Sequence, residues 1–482
     1  MSRSITLFLL LSLLFSCKEE SIPTPPIEEP TPQQAVVAVY RTDGSGTLSL
    51  SLAPDSLPLV ESKGEGLQIK LNPDQVYQEM EGFGAALTES SAYVLSQHLS
   101  ENKRRDLLEE LFSPEKGIGI SYLRLTMGSS DFSLADYSYN DQAAGQADPN
   151  MADFTLGQDL QYVVPILQEI LNIVPDLNIM ATPWSAPAWM KSNQSLTDGG
   201  TLKSEFYAAY AQYFVQYLTE MDKLGISIAA LTIQNEPLHQ AAYPSMSMRA
   251  SEQLVFIRDH LGPALENAAL ETKIVIYDHN WDRVDYPLEV LADNEVRKYI
   301  AGTAFHCYAG DVNAMSQLQQ SHPEKGIYFT ECSGGNWATD FGANLAWNME
   351  SLFVGAPRNW AKTVLLWNLA LDENSGPQNG GCTDCRAVVT VSSNGSIERN
   401  VEYNLLGHVA AFVRPGACRI KSNETRVLGV SQVAFQNKDQ SLAMVAYNHL
   451  GRPIQLEVEV GEGQAFRYEL PAGMLVTFSW EQ

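Results

Sequence analysis

Hydrophobic and polar positions follow two different periods along the middle of the chain. Between about Tyr77 and Leu371, short β-branched or aromatic runs alternate with longer stretches in which apolar residues recur at helical spacing. This alternation predicts repeated βα units around a parallel sheet. Eight strands are predicted, at residues 78–86, 118–127, 177–183, 229–236, 273–279, 301–308, 326–332 and 363–371. Eight is the number that closes a (β/α)8 barrel.

The stretches between these strands predict amphipathic helices. They lie at residues 92–111, 158–173, 203–224, 251–267 and 344–359. The third contains an aromatic stripe, formed by Phe206, Tyr210, Tyr213, Phe214 and Tyr217. A sugar platform is one interpretation of this stripe, but its helical spacing favours packing of the helix onto the barrel.

Outside the barrel the apolar residues alternate with a period of two. Segments 441–447, 454–460 and 474–480 show this pattern, which is typical of antiparallel strands. The predicted fold is therefore of the α/β class. A catalytic barrel spans residues 76–387, and a β-sandwich built from residues 35–75 and 388–482 packs on its side.

The N-terminus carries a different signal. An apolar run at residues 5–15 follows Arg3 and is too short to span a bilayer, so residues 1–16 are predicted to be a signal peptide. The small residue before Cys17 resembles the lipobox of bacterial lipoproteins, which makes Cys17 the expected lipid attachment site. A conventionally cleaved signal peptide is the alternative. Residues 17–34, rich in Pro, Glu and Thr, are expected to form a disordered tether.

Localisation follows from these features. Residues 18–20, Lys-Glu-Glu, resemble a surface-export signal of bacterial lipoproteins, although a polar spacer has the same composition. We expect an exported outer-membrane lipoprotein exposed on the cell surface, with membrane contact only through its anchor. The sequence leaves a periplasmic orientation open.

Composition and charge narrow the range of partners. The 482 residues are 45% hydrophobic and 18% charged, enough for a large core, and the formal net charge is −26. Without a basic stripe, this charge argues against nucleic acid and polyanionic substrates. A neutral β-glucan or oligosaccharide would not be repelled, although acidity is also a common feature of soluble proteins. A monomer is expected.

Cysteine spacing gives no metal site. Besides Cys17 there are five cysteines, an odd number, so at least one thiol is unpaired: Cys307, Cys332, Cys382, Cys385 and Cys418. The Cys382-Thr-Asp-Cys385 spacing fits half of a zinc site, but no second Cys-x-x-Cys or His pair accompanies it. A local disulfide or free thiols are favoured, and no metal or cofactor is expected.

Two glutamates stand at the ends of predicted strands, where a barrel builds its active site. The fourth strand ends in Asn235-Glu236-Pro237, and the seventh ends at Glu331 before a glycine-rich loop. Glycoside hydrolysis needs a carboxylic acid to protonate the leaving oxygen and a second group at the anomeric carbon. Glu236 and Glu331 supply both, and carboxyl groups about 5–5.5 Å apart would make the mechanism retaining.

Taken in chain order, several further motifs resemble glycoside hydrolase family 30, in the clan of retaining (β/α)8 glycosidases that includes the glucosylceramidases. The segments that carry this resemblance are Gly-Phe-Gly-Ala at 82–85, Leu-Arg-Leu-Thr-Met-Gly-Ser-Ser-Asp-Phe-Ser at 123–133, Ala-Thr-Pro-Trp-Ser-Ala-Pro-Ala-Trp-Met-Lys at 181–191, Gln-Asn-Glu-Pro at 234–237, Phe-His-Cys-Tyr at 305–308, Thr-Glu-Cys at 330–332 and Leu-Trp-Asn-Leu-Ala-Leu at 366–371.

The resemblance implies roles for the residues at the predicted barrel mouth. It makes Glu236 the acid/base and Glu331 the nucleophile, with Asn235 near the 2-hydroxyl of the sugar. Before the covalent intermediate forms, the pKa of Glu236 is expected to be raised. Arg124 is expected to hold Glu331 ionised, a role that suits an always-charged side chain.

Five more side chains are expected to line the substrate site. Asp131, Trp184 and Trp367 match family positions that bind the sugar preceding the scissile bond, although core packing is the alternative for both tryptophans. His306 and Tyr308, alternate residues of the sixth strand, should face the barrel mouth together.

The choice of substrate rests on the loop at residues 372–386. It departs from the glucosylceramidase pattern and resembles the bacterial β-1,6-glucanase branch of the family, which predicts endo-acting hydrolysis of β-1,6-glucan. Exo-acting β-glucosidase or β-xylosidase activity and glucosylceramidase activity are alternatives, and the absence of a recognisable basic pocket disfavours a glucuronoxylanase. A surface glycan-binding lipoprotein without catalysis would lack a carboxylate, and a purely structural protein would not explain the motifs.

Overall fold

Eight parallel strands close into a barrel in the computed structural model, which describes residues 36–461 and 463–481. The barrel strands, in chain order, are β1 (Gly82–Leu87), β2 (Tyr122–Met127), β3 (Asn178–Pro183), β4 (Ala230–Thr232), β5 (Lys273–Asn280), β6 (Ile300–His306), β7 (Gly326–Glu331) and β8 (Ala361–Leu366). Each strand pairs with the next in the chain, and β8 pairs with β1. The predicted barrel is confirmed.

Side chains fill the barrel interior. One buried layer takes a residue from seven of the strands: Tyr122, Met180, Ala230, Val275, Ala304, Tyr328 and Leu365. On β1, Gly84 lies so close to its neighbour that a Cβ atom there would be 1.8 Å from the carbonyl oxygen of Tyr122. The interior is thus a packed core rather than a channel. The reactive residues lie above this core, at the carboxyl-terminal ends of the strands.

Helices surround the barrel, several of them divided where the sequence predicted one. The α-helices are Glu89–Gln97, Glu101–Phe112, Val163–Ile173, Tyr207–Lys223, Ala250–Phe256, Gly262–Asn267, Asp285–Leu291, Asn294–Arg297, Ala314–Ser321, Phe341–Asn348, Gly355–Arg358 and Val401–Ala410. Two π-helical segments, Ile257–Leu261 and Met349–Phe353, interrupt the predicted helices 251–267 and 344–359. Short 3-10 turns occur at Gly157–Leu160, Ala188–Met190, Ser204–Phe206, Trp281–Arg283 and Arg426–Leu428.

The aromatic stripe of helix Tyr207–Lys223 packs inside the molecule. Tyr210, Tyr213, Phe214 and Tyr217 are all fully or almost fully buried in the main core. The prediction that this stripe packs against the barrel rather than binding sugar is confirmed.

A second sheet combines strands from both ends of the described chain. Its N-terminal strands are Val36–Thr42, Ser51–Leu52, Leu57–Pro58, Val60–Glu61 and Leu67–Glu79, and its C-terminal strands are Cys418–Ser422, Val430–Gln436, Leu442–Asn448, Ile454–Val460, Gln464–Leu470 and Leu475–Trp480. Phe466 and Phe478 lie on strands that are far apart in the strand order of this sheet, yet their ring centroids are only 4.9 Å apart. The sheet therefore folds over itself as a sandwich, as predicted.

The segment between barrel and sandwich is more helical than its sequence suggested. Short strands occur at Gly334–Gly335, Ala370–Leu371, Cys385–Arg386, Val389–Val391 and Ile397–Arg399. They are followed by helix Val401–Ala410, which contacts both β1 and strand Leu475–Trp480. Its buried His408 bonds to Thr42 and Thr477. Sandwich strands resume at Cys418, whereas the predicted sandwich segment begins at residue 388.

The predicted signal peptide (1–16), Cys17 and the tether (17–34) lie outside the described residues. Across the part of the chain that the structure describes, no helix combines the length and apolar character needed to cross a bilayer.

Candidate active site

Glu236 and Glu331 face each other at the carboxyl-terminal rim of the barrel. Glu331 is the last residue of β7, while β4 ends at Thr232, so Glu236 stands in a turn beyond its strand with a φ of 45°. One oxygen of each carboxylate lies within 4.8 Å of the other. This gap matches the spacing of retaining glycosidases, about 5–5.5 Å, and is too short for the water of an inverting mechanism.

Arg124 on β2 holds the Glu331 carboxylate in position. Its Nη1 donates to Oε2 of Glu331 at 2.5 Å, and its Nη2 donates to the Asn235 side chain at 2.8 Å. The hydroxyl of Tyr308 donates to the other oxygen of Glu331, at 2.9 Å. Both oxygens of Glu331 therefore accept hydrogen bonds, which hold the carboxylate in one orientation.

Asp278 on β5 is a central residue that the sequence analysis missed. It is fully buried and accepts hydrogen bonds from four side chains: Arg124 at 2.9 Å, His306 at 3.0 Å, Thr232 at 2.8 Å and Thr330 at 2.7 Å. Burial alone would raise the pKa of Asp278, but Arg124 and His306 outweigh burial and hold that pKa well below its usual range. The signal in the sequence was an acidic residue directly after the apolar run Ile274–Tyr277 of this strand.

The backbone at Asp278 is irregular. Tyr277 and Asp278 both have positive φ values, 74° and 63°, and the pairing of β5 with β6 shifts register there. The carbonyl oxygen of Asp278 accepts a hydrogen bond from the N–H of Glu236 at 3.0 Å. The same residue thus orients Arg124 and His306 with its side chain and Glu236 with its backbone.

Replacing Asp278 by Asn is expected to lower the free energy of unfolding by about 3–5 kcal/mol, because the buried charge of Arg124 loses a partner. Urea unfolding followed by circular dichroism measures the change. Asp282→Asn is the matched control, since Asp282 lies on the same segment but is exposed. Equal unfolding midpoints for the two variants would contradict the role of Asp278.

His306 connects the two catalytic carboxylates. Its Nδ1 is 3.2 Å from Glu236 and 3.9 Å from Glu331, while its Nε2 contacts Asp278. Burial would lower the pKa of His306, but the charges of Glu331 and Asp278 outweigh burial and raise that pKa to about 9. The side chain is therefore a cation near neutral pH.

Because His306 is charged, the pKa of Glu236 shifts in the direction opposite to the expected one. Burial would raise the pKa of Glu236, but the hydrogen bond and the charge of His306 lower it below its usual value in the ligand-free protein. The sequence argument expected a raised pKa because it did not place a charged histidine against this carboxylate.

Replacing His306 by Gln is expected to raise the pKa of Glu236 by roughly 1 unit or more, because the nearby positive charge is removed. Because the wild-type pair keeps the proton that the acid needs up to the pKa of His306, about 9, whereas Glu236 alone sets the limit in the variant, the basic limb of the kcat/KM profile should move to lower pH. His279→Gln is the control: His279 is 3.8 Å from the same carboxylate, but burial lowers its pKa to about 4, so it is neutral there. A basic limb that stays in place or moves to higher pH would contradict this assignment.

Trp184 and Trp367 form a wall beside Arg124. Their rings stack on each other with centroids 5.1 Å apart, and the guanidinium of Arg124 lies 4.9 Å and 5.6 Å from them. Both side chains are almost fully buried, in a small cluster with Phe132 and Leu371. Packing accounts for most of their surface, and together they keep water from the Arg124 side chain.

Asp131 offers an unused acceptor beside this wall. Its Oδ1 is buried and has no hydrogen-bond partner among the described residues. Burial and the charge of Glu331 raise the pKa of Asp131 well above its usual value. A buried acceptor without a partner costs free energy, and a sugar hydroxyl would satisfy it.

The loop at residues 372–386 packs over Asp131. The N–H of Asn379 donates to the Asp131 carbonyl at 2.7 Å, and a Cβ on Gly381 would come within 3.0 Å of the Asp131 side chain. Cys382 and Cys385, for which the sequence left a disulfide or free thiols open, are bonded to each other. The loop therefore borders the cleft where Asp131 lies.

A second disulfide joins the catalytic strands, and the sequence analysis did not predict it. Cys307 and Cys332 directly follow His306 and Glu331, which are paired between β6 and β7. The bond thus ties together the two strand ends that carry catalytic side chains. Cys418 is the free cysteine among those described.

Glu236, His306 and Glu331 are also the group of described residues whose spacing comes nearest to a metal site. Arg124 already donates to Glu331, and His306 is held as a cation. A metal ion would have to displace both positive charges, so the arrangement favours acid–base chemistry. The absence of a metal or cofactor in the working protein stays a prediction.

Comparison with known proteins adds independent findings. Residues 80–413 match the glycosyl hydrolase family 30 TIM-barrel domain, and residues 416–478 match the family 30 beta sandwich domain. An endo-1,6-β-D-glucanase of Aspergillus fumigatus is 34% identical, covering 92% of this chain and 94% of that protein. The lysosomal acid glucosylceramidase of Mus musculus is 27% identical, covering 87% and 84%.

Solved structures show the same architecture. A structure titled as an endo-β1,6-glucanase superposes with a TM-score of 0.86 at 34% identity, covering 93% of this chain and all of that one.

Proposed function

The chain belongs to glycosyl hydrolase family 30, and from this premise we propose that it hydrolyses β-1,6-linked glucan within the polymer, with retention of configuration. The observation that carries the mechanism is the short gap, within 4.8 Å, between an oxygen of Glu236 and one of Glu331. Binding of a glycan without catalysis does not require two opposed carboxylates.

The reaction proceeds by two displacements. Glu331, held by Arg124 and Tyr308, attacks the anomeric carbon while Glu236 protonates the glycosidic oxygen, and the aglycone leaves. Glu236 then removes a proton from water, which attacks the same carbon and releases Glu331. Glu236 therefore gives up one proton in the first step and takes one proton back in the second.

His306 supplies the proton that Glu236 needs. In the ligand-free protein one proton lies on Nδ1 of His306 and Glu236 is ionised. A bound sugar excludes water from this pair, which disfavours separated charges. The proton then moves to Glu236, and His306 becomes neutral while its Nε2–H still donates to Asp278.

The substrate proposal rests on relatives and charge. Two further fungal proteins named endo-1,6-β-D-glucanases are also 34% identical to this chain. The net charge of −26 suits a neutral polymer better than an acidic one. Exo-acting β-glucosidase, β-xylosidase and glucosylceramidase activities remain the alternatives within the family.

Product analysis tests this proposal. The purified protein is incubated with pustulan (a β-1,6-glucan), laminarin, xylan, glucosylceramide and aryl β-glucosides, and the anomer first formed is identified by NMR. Oligosaccharides from pustulan with retained configuration are expected. Activity confined to aryl glycosides, or to glucosylceramide, would overturn the polymer as substrate, and an inverted first product would overturn the mechanism.

We further propose that the protein works as an exported, lipid-anchored monomer on the outer membrane. The support is the apolar run at residues 5–15 before Cys17 and the polar segment after it. All the catalytic side chains described above come from one chain. Cys17→Ala is expected to release the enzyme from the membrane fraction, and its continued sedimentation with membranes would overturn the anchor.

A further inference from the structure

An open groove lies beside Glu331, and Tyr308 is the one residue of its lining that the mechanism uses. Its volume is about 650 Å3, and it is bordered by Cys307 and Tyr308 after β6 and by residues 332–348 after β7. Asp131, Trp184 and Trp367, by contrast, follow strands β2, β3 and β8. The groove and the Asp131 side of the cleft thus approach Glu331 from different directions.

Exposed aromatic side chains concentrate in this groove. Among the described residues the exposed large aromatic side chains are Trp337 (57%), Trp347 (48%) and Tyr308 (46%), and all three line it. Single exposed apolar side chains are common, but several that cluster in one groove mark a ligand-binding surface. Two exposed tryptophans beside a catalytic carboxylate indicate a binding surface.

Trp337 is held in a fixed position. A Cβ on Gly335 would lie 1.9 Å from its indole, so the ring rests on the bare backbone of this glycine. Strand Gly334–Gly335 pairs in turn with Cys385–Arg386. The loop that presents the indole is therefore part of a small sheet rather than a free segment.

Arg386 stabilises the loop that carries Trp337. Its guanidinium forms a paired contact with buried Glu402, at 2.8–3.1 Å, and donates to the carbonyls of Gly335 and Ala338. A platform that is already ordered before binding loses little conformational entropy when it binds.

The groove's chemistry fits a neutral sugar. Tryptophan faces offer apolar area that matches the C–H faces of a pyranose ring, and polar side chains stand between them, namely Ser333, Thr339, Asp340, Asn344 and Asn348. No lysine or arginine lines the groove, which disfavours an anionic occupant. A lipid chain would cover the exposed Thr339 and Asp340 side chains with apolar groups, which costs free energy.

We propose that Trp337 and Trp347 bind glucose units of the polymer on the leaving-group side of the scissile bond. The inference rests on the proposed function, since the occupant is part of the same glucan chain. It assigns to this groove the selection of long substrates over short ones, a property of an enzyme that cuts within a polymer.

The test measures chain-length dependence. Trp337→Ala and Trp347→Ala are assayed for kcat/KM on purified oligosaccharides of increasing length, prepared from whichever β-glucan the wild-type enzyme hydrolyses. The loss is expected to grow with length and to reach about tenfold for each variant on the longest oligosaccharide. Trp337→Phe and Trp347→Phe should restore much of the length dependence.

Controls separate binding from folding. Leu428→Ala changes an exposed apolar residue of the sandwich domain and should leave the length dependence as in the wild type. Thermal unfolding of each variant shows whether the fold persists, and the Phe variants keep the test decisive if an Ala variant is unstable.

Several outcomes would overturn the groove assignment. They are an equal loss at all lengths, no loss at any length, or, in a parallel assay with detergent-solubilised glucosylceramide, a loss confined to that substrate, which would assign the groove to a lipid. A wild-type enzyme that cleaves another β-glucan but not pustulan would overturn the proposed linkage alone. Absence of activity on every β-glucan would overturn both.

Discussion

Replacing Glu331 by Ala is expected to lower kcat on glucan and on aryl β-glucosides by about 10^4-fold or more. Without the carboxylate no covalent intermediate forms, and losses of this order follow removal of an enzyme's nucleophile. The measurement is initial-rate kinetics on an aryl glucoside, repeated with added azide. Azide occupies the vacated space and should restore turnover, giving an α-glucosyl azide.

Glu324→Ala provides the matched control for this change. Glu324 is exposed in the loop just before β7, so its loss removes a carboxylate from the same region without affecting the cleft. Full turnover by the Glu331→Ala variant would instead contradict the assignment of Glu331 as the nucleophile.

Replacing Glu236 by Ala is expected to reduce kcat on glucan by about 10^2–10^4-fold, the range typical for loss of a general acid. The first step should suffer less on aryl glucosides whose leaving group needs no proton, so the glycosyl-enzyme would accumulate. A pre-steady-state burst of phenol followed by slow turnover is the diagnostic signal. Azide should accelerate the second step and yield a β-glucosyl azide.

The contrast between the two azide products is itself the control. Each variant lacks one carboxylate of the same pair, and only opposite roles give products of opposite configuration. An α product from the Glu236→Ala variant, or equal losses on activated and unactivated substrates, would contradict the assignment of Glu236 as the acid.

The barrel was predictable because each buried strand is encoded by a short run of apolar residues. Apolar runs marked all eight strands, and the carboxylates after β4 and β7 marked the rim. The end of β4 was placed too late, at Glu236 rather than Thr232, because the residues between them, Ile233 to Asn235, are as buried as a strand.

What the sequence did not reveal depends on pairs of residues far apart in the chain. Asp278 and Arg124 are 154 positions apart in the sequence, and no local pattern predicts that they form an ion pair. The lowered pKa of Glu236 follows from the same kind of contact, with His306. Likewise, the sequence shows two tryptophans at 337 and 347 but not that both stand exposed.

Construction of the sandwich from both ends of the chain has a consequence for biosynthesis. Strand Leu475–Trp480 lies between Val36–Thr42 and Leu442–Asn448 and pairs with both. During translation the early strand therefore has no partner on this side until residues 475–480 leave the ribosome, and unpaired strand edges promote aggregation. A chain that stops short of residue 475 leaves this edge open, so strand pairing distinguishes chains that contain this strand from chains that lack it.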